Sequence, residues 1–143
     1  MTATRTTKAE HAYRKHLRTA DTDVCVFCGV KKGDQRYIAE TKSFQVVRNN
    51  FPYTLWDNQP VAEHLMITPK QHIGNLNKLT DEQKIEYLDL LEKYTIKGYN
   101  TYTRASTSKI RTIAHYHTHL IKPGDSITTF VFSIRKPYIR ITK

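Results

Sequence analysis

His115, His117 and His119 occupy alternate positions in the run His115-Tyr116-His117-Thr118-His119-Leu120-Ile121. A run of this make-up predicts a strand. Strand side chains alternate between faces, so the three imidazoles should project to one side while Tyr116, Thr118 and Leu120 project to the other. Three imidazoles on one face make a poor hydrophobic core, because each buried ring needs a partner for both nitrogens. One face is therefore read as chemistry and the other as core. A second chemical pair lies in Val24-Cys25-Val26-Phe27-Cys28-Gly29. Two thiolates at Cys-x-x-Cys spacing can reach one tetrahedral zinc at about 2.3 Å, and Gly29 permits the tight backbone such a turn adopts. A redox pair would instead follow a strand and open a helix, whereas a Lys31-Lys32-Gly33-Asp34 turn follows here. Two more histidines bracket a third segment. His64 begins the apolar run Glu63 to Thr68, closed by Pro69, and His72 lies eight residues beyond His64.

Several elements must hold these groups. Thr6 to about Thr19 places Ala9, Ala12, Tyr13, His16 and Leu17 at helical spacing among basic residues, predicting a short amphipathic helix that carries no chemistry of its own. Arg36 to Glu40 and Ser43 to Arg48 alternate enough to form a hairpin, which Pro52 must end because it cannot donate to a sheet ladder. Leu55 to Ala62 reads as an irregular excursion. Thr80-Asp81-Glu82-Gln83 matches a capping box, so a long helix should follow. Ile85, Leu88, Leu91 and Tyr94 or Thr95 would form its core face, running to about Tyr102 despite Gly98. Lys122-Pro123-Gly124-Asp125 predicts a turn, followed by strands over Thr128 to Arg135 and Tyr138 to Ile141. Segregated antiparallel strands around one main helix predict an α+β domain.

The chain has 143 residues, enough for a single domain over 1–143 with a helical extension at 1–20 and terminal strands at 122–143. Hydrophobic residues at 38% and charged residues at 25% are those of an ordinary globular protein, which argues against low-complexity and fibrous classes. No stretch approaches the ~18 apolar residues of a membrane span, and the first eight residues lack the apolar core of a secretory signal. The expected location is cytoplasmic, where two cysteines serve as metal ligands or free thiols rather than as a disulfide. A formal charge of +10 favours polyanionic partners, either nucleotides or nucleic acid, or a solvated basic surface.

Taken in order, the Cys-x-x-Cys segment, the stretch His64-Leu65-Met66-Ile67-Thr68-Pro69-Lys70-Gln71-His72-Ile73 and the alternating histidines after a long helix resemble the histidine-triad (HIT) superfamily. That superfamily includes nucleotide phosphoramidases and dinucleoside polyphosphate hydrolases. The resemblance implies an antiparallel sheet of about five strands packed with the long helix, commonly joined into a homodimer. It also implies a nucleotidyl hydrolase or transferase in which His117 attacks an α-phosphorus to give a nucleotidyl-histidine that water resolves. Such a step splits one difficult displacement into two easier ones. By the same resemblance His119 and His64 donate to phosphate oxygens, Thr112 stands for a serine donor, and Asn49 binds the ribose, with Phe51 beside the base. Arg104 or Arg111 would meet phosphate with charge, replacing an Asn- and Gly-rich stretch usual before the triad. Zinc-containing members imply a structural Zn2+ on Cys25, Cys28, His72 and His115, a closed Cys2His2 set with no open coordination position.

Two other readings use the same residues. In one, alternating histidines bind a catalytic metal in a cupin-like manner, which requires the metal on His117. In the other, the zinc-stabilised fold is catalytically weak or inactive and only binds nucleotide or nucleic acid, with Arg104 in place of an amide as its signature.

Overall fold

A computed structural model describes residues 3–21 and 23–126, together with the backbone of 131–135 and 138–142. The elements in order are β1 (Ala3–Thr4), α1 (Thr7–Thr19), β2 (Tyr37–Glu40), β3 (Phe44–Arg48), β4 (Leu55–Trp56), β5 (Gln59–Pro69), α2 (Asp81–Thr95), β6 (Asn100–Thr103), β7 (Thr118–Pro123), β8 (Val131–Arg135) and β9 (Tyr138–Thr142). Five of these strands form an antiparallel sheet in the order β2-β3-β5-β7-β6, so the chain is α+β with the expected strand number. The long strand β5 also extends past this sheet to pair with β4, and β4 pairs with β1. Strands β8 and β9 pair with each other. Thr128 to Phe130 of the first predicted terminal strand lie outside the described residues, and the second strand runs one residue further, to Thr142.

The sheet has two unlike faces, as alternation requires. One carries Phe44, Val46, Leu65, Ile67 and Leu120, which pack with Tyr87, Leu90 and Tyr94 of α2. The other carries Val47 and Met66, covered by Phe27 and Val30 of the cysteine turn, and Ile121, covered by Tyr53 and Trp56. The histidines lie on this second face.

Three sequence expectations change. The capping box at Thr80 is present with both reciprocal bonds, yet α2 stops at Thr95. Gly98 adopts φ +84°, and the chain turns there into β6. The core face of α2 is also rotated from the predicted one. Ile85 and Leu88 are each 60% exposed and Tyr87 and Leu90 are buried in their place, while the expected Tyr94 is buried and the expected Leu91 packs against the core. The tyrosines win because they bury more area and the sheet satisfies the Tyr87 hydroxyl, which bonds Thr118 Oγ1 at 2.6 Å. The excursion at Leu55 to Ala62 is in fact a β4-β5 hairpin, with Asp57 and Asn58 at positive φ in its two-residue loop.

Candidate active site

The regular strand β7 begins only at Thr118, not at His115. The expected alternation nevertheless holds: Tyr116, Thr118 and Leu120 face α2, and His115, His117 and His119 face the opposite side. Tyr116 N–H donates to Ile73 O at 2.6 Å, and Thr68 Oγ1 donates to Tyr116 O at 3.0 Å, so residues 115–117 are held by bonds outside the ladder. As a result the three rings have different surroundings.

His115 turns to the cysteine turn. Its Nε2 lies 2.9 Å from the Pro69 carbonyl, which can only accept, so Nε2 carries the proton. The unprotonated Nδ1 then faces Cys25 Sγ at 3.2 Å and Cys28 Sγ at 3.5 Å. His72 Nδ1 is 3.2 Å from Cys28 Sγ, and all four donor atoms lie within 4.8 Å of one another. Neighbouring donors around tetrahedral zinc stand roughly 3.3–3.8 Å apart, so the set fits that ion in both chemistry and size. Burial and the adjacent Cys25 push the Cys28 thiol up to about 11, and a cation's field is what would let the pair ionise at neutral pH. The cysteine turn is anchored from behind by Gln45 Nε2 donating to Phe27 O and by an Arg36 guanidinium N–H donating to Val26 O, each at 2.8 Å.

His117 is 8% exposed, and its ring packs against Phe27 and His119. Its Nδ1 donates to the His115 carbonyl at 2.9 Å, which leaves an unshared pair on Nε2. Burial lowers its pKa, opposed by that hydrogen bond and assisted by the charges of Arg111 and Arg104, so the ring is neutral near pH 7.

His64 and His119 form a pair on the sheet. Their strands place them diagonally on one face, since His64 is opposite Ile121 and Met66 is opposite His119. The Tyr53 backbone N–H donates to His64 Nδ1 at 3.1 Å, so the neutral His64 ring is protonated at Nε2. Nε2–H in turn donates to His119 Nδ1 at 2.9 Å, which leaves His119 protonated at Nε2. That Nε2–H has no protein partner among the described residues. Burial, Arg5 and His117 lower the His64 pKa to about 3, and burial, His64 and His117 hold His119 well below its usual value. Both rings are therefore neutral, and the pair presents a single outward donor. Both nitrogens of His64 are engaged within the protein.

A cleft of about 780 Å3 joins these groups. Asn49 reaches it beside His64, its Nδ2 3.4 Å from the unprotonated His64 Nδ1 and 3.1 Å from Nε2, and its Oδ1 accepting from Phe51 N–H at 2.9 Å. Thr112 also lines it, with its hydroxyl 2.8 Å from the Tyr13 hydroxyl. Arg104 lies in the wall with its guanidinium 5.2 Å from the Tyr102 ring centre, and that ring stacks on His119 at 5.8 Å. Arg111 is a different case. Its guanidinium donates to the carbonyls of Ile113, Gly74 and Ala114 at 3.0, 2.9 and 2.6 Å, so it braces the loop before the histidines while one N–H on each terminal nitrogen is left over.

The cleft contains residues that sequence reasoning passed over. Helix α1, expected to carry no chemistry, forms a wall. Tyr13 and His16 place their rings 5.4 and 4.9 Å from Phe51. Tyr53 stacks on His64 at 4.9 Å. The three-residue spacing of Tyr13 and His16 on a narrow stripe was the available signal for α1; Tyr53, in an irregular segment, offered none.

The chain is similar to the adenosine 5'-monophosphoramidase of Candida albicans, with 29% identity over 117 residues covering 73% of each protein. Among solved structures, a histidine triad nucleotide-binding protein from Candida albicans superposes with a TM-score of 0.53 at 20% identity, covering 80% of this chain and 86% of that one. A HIT family hydrolase from Clostridium thermocellum gives 0.52 at 22% identity, covering 73% of this chain and 95% of that one. These structures share the fold described above. No protein-family model matches the chain.

Proposed function

We propose, from its similarity to the Candida albicans phosphoramidase and the fold it shares with histidine-triad structures, that the chain is a histidine-triad nucleotidyl hydrolase or transferase. It acts at the α-phosphate of a nucleoside phosphoramidate, a dinucleoside polyphosphate or a related nucleotide. The observation that carries this reading is the state of His117, whose Nδ1–H is held by the His115 carbonyl, leaving Nε2 free beside the outward donor of His119. The name of the Candida albicans relative favours an adenosine phosphoramidate among these substrates.

In the proposed reaction the His117 Nε2 pair attacks phosphorus in line. The bond from phosphorus to the leaving amine or phosphate breaks, and the leaving group departs with that bond's electron pair and takes up a proton. Water then cleaves the phosphorus–nitrogen bond to His117, releasing the nucleoside monophosphate and restoring the ring. His119 Nε2–H donates to a phosphate oxygen as charge develops, Asn49 faces the ribose, and Phe51 borders the base. Arg104 supplies positive charge at the wall, and the Thr112 hydroxyl serves as a further donor once Tyr13 yields it. Zinc on Cys25, Cys28, His72 and His115 would be structural, pinning the segment that carries His117. Reduced cysteines in such a set suit the cytosol. A homodimer is supported by the exposed Ile85 and Leu88 of α2 and by β6 pairing only with β7 among the described strands.

The test is to mix wild type and His117→Ala with an α-labelled adenosine phosphoramidate, quench rapidly and look for acid-labile label on protein. Wild type should trap label and turn over, and His117→Ala should do neither while keeping its metal. Full turnover by His117→Ala, or loss of its metal, would assign the histidine to metal binding. Absence of turnover in wild type would leave the nucleotide-binding reading.

A further inference from the structure

Arg5 is one of many basic residues near the start of the chain, yet its side chain is only 13% exposed. The strand β1 and the turn after it lie along residues 51–56. Ala3 pairs with Trp56 and Thr4 with Leu55, Thr54 N–H donates to Thr4 O at 2.7 Å, and Thr6 N–H donates to Thr54 Oγ1 at 3.1 Å. This zipper delivers the Arg5 guanidinium between two aromatic rings, 4.2 Å from the Tyr13 centre and 4.8 Å from the Tyr53 centre. Its Nε donates to Phe51 O at 3.0 Å, and one terminal nitrogen lies 3.5 Å from Glu10.

Those contacts fall on the segment that sets the protonation pattern of the site. The Tyr53 N–H fixes the proton of His64 on Nε2, the Tyr53 ring stacks on His64, and His64 fixes the proton of His119 on its outward nitrogen. A shift of the 51–54 backbone by a fraction of an ångström would break the first of these bonds and release His64 to the other tautomer. His64 would then offer a lone pair instead of a donor to His119, and His119 would no longer have to present Nε2–H.

We propose that Arg5 is a positioning residue for the His64–His119 pair: by clamping Tyr53 against Tyr13 and tying down the Phe51 carbonyl, it holds the Tyr53 N–H on His64 and so keeps the donor of His119 directed into the cleft. The N-terminal segment is thereby part of the active site. The kinetic consequence rests on the proposed function, but the tautomer consequence does not.

The experiment uses the full chain labelled with 15N at histidine, in which imidazole nitrogen shifts separate protonated from unprotonated positions. Wild type should show His64 and His119 protonated at Nε2. Arg5→Ala should populate the Nδ1–H form of His64 and lower kcat on adenosine phosphoramidate by ~10-fold to 10²-fold, the scale of a misoriented catalytic group, with KM changing far less. Arg5→Lys retains the cation between the rings and one donor, so it should recover part of both effects, and it serves as the test should Arg5→Ala not fold. Unchanged tautomers in Arg5→Ala, or in Arg5→Lys where Arg5→Ala does not fold, would overturn the proposal, as would a fall in kcat without a tautomer change. A tautomer change in a protein that turns over no nucleotide would support the role of Arg5 and remove the enzymatic reading instead.

Discussion

Acidification should weaken the fold through His64 before it protonates most carboxylates. His64 is 3% exposed, and its pKa is lowered from 6.5 to about 3 by burial first and then by Arg5 and His117. A histidine whose folded pKa is depressed leaves the unfolded chain binding more protons below pH 6.5. Its contribution to stability is thus complete above about pH 6.5 and is lost as pH falls towards 3. Linkage gives a loss of about 2 kcal/mol by pH 5, growing by about 1.4 kcal/mol for each further unit until the folded pKa is reached. His119 acts in the same direction. The measurement is urea unfolding at pH 8 and pH 5, followed by the fluorescence of buried Trp56, on wild type and His64→Gln. Glutamine can accept from the Tyr53 N–H and donate towards His119 but does not titrate. The cysteine and histidine ligand set is common to both proteins, so its own acid sensitivity cancels. Wild type should lose about 2 kcal/mol more than His64→Gln across this interval, and parallel losses would refute the assignment of His64 as a buried neutral ring.

Three further outcomes follow from the same geometry. Cys28→Ser should reduce metal content from one zinc per chain and destabilise the fold by several kcal/mol, since metal binding is coupled to folding; elemental analysis finding no zinc in the wild-type protein purified without chelators would remove the claim. His119→Ala should slow turnover by ~10²-fold to 10³-fold through loss of one transition-state donor, with label still trapped on His117 in single-turnover quenching. Arg111→Ala should cost about 2 kcal/mol in chemical denaturation by orphaning three carbonyls, with little change in KM; a large rise in KM at unchanged stability would restore it as a phosphate ligand.

Four of the five sheet strands, the capped helix and the paired cysteines were legible because each rests on a local pattern, whereas β6 fell inside the expected helix and His72 and His115 joined the cysteines only through the family resemblance. Alternation marks a strand, Thr80 and Gln83 mark a helix start, and Cys-x-x-Cys spacing marks a turn with two thiols. What escaped depended on contacts between distant segments. The phase of α2 was set by hydroxyl partners on β7 that only the folded sheet supplies to Tyr87, so the aliphatic stripe of Ile85 and Leu88 was taken for the core. The β4-β5 hairpin was hidden because its turn uses Asp57 and Asn58 instead of glycine. Arg104 and Arg111 were equivalent as cations in the sequence, and both line the cleft; only the three carbonyls around Arg111 mark it as also bracing the loop.

One short segment serves two purposes. His115, His117 and His119 share the face opposite α2, yet each meets different partners there. Here the ladder begins at Thr118, and the backbone groups just before it are satisfied elsewhere, by Ile73 O and by the Thr68 hydroxyl. His115 is therefore free to rotate towards Cys25 and Cys28 while its own carbonyl turns back to hold His117 Nδ1. The metal set and the nucleophile candidate are joined through that one carbonyl. Any loosening of the Cys2His2 set should be felt at His117 as a change in which nitrogen carries the proton, before the fold itself is lost.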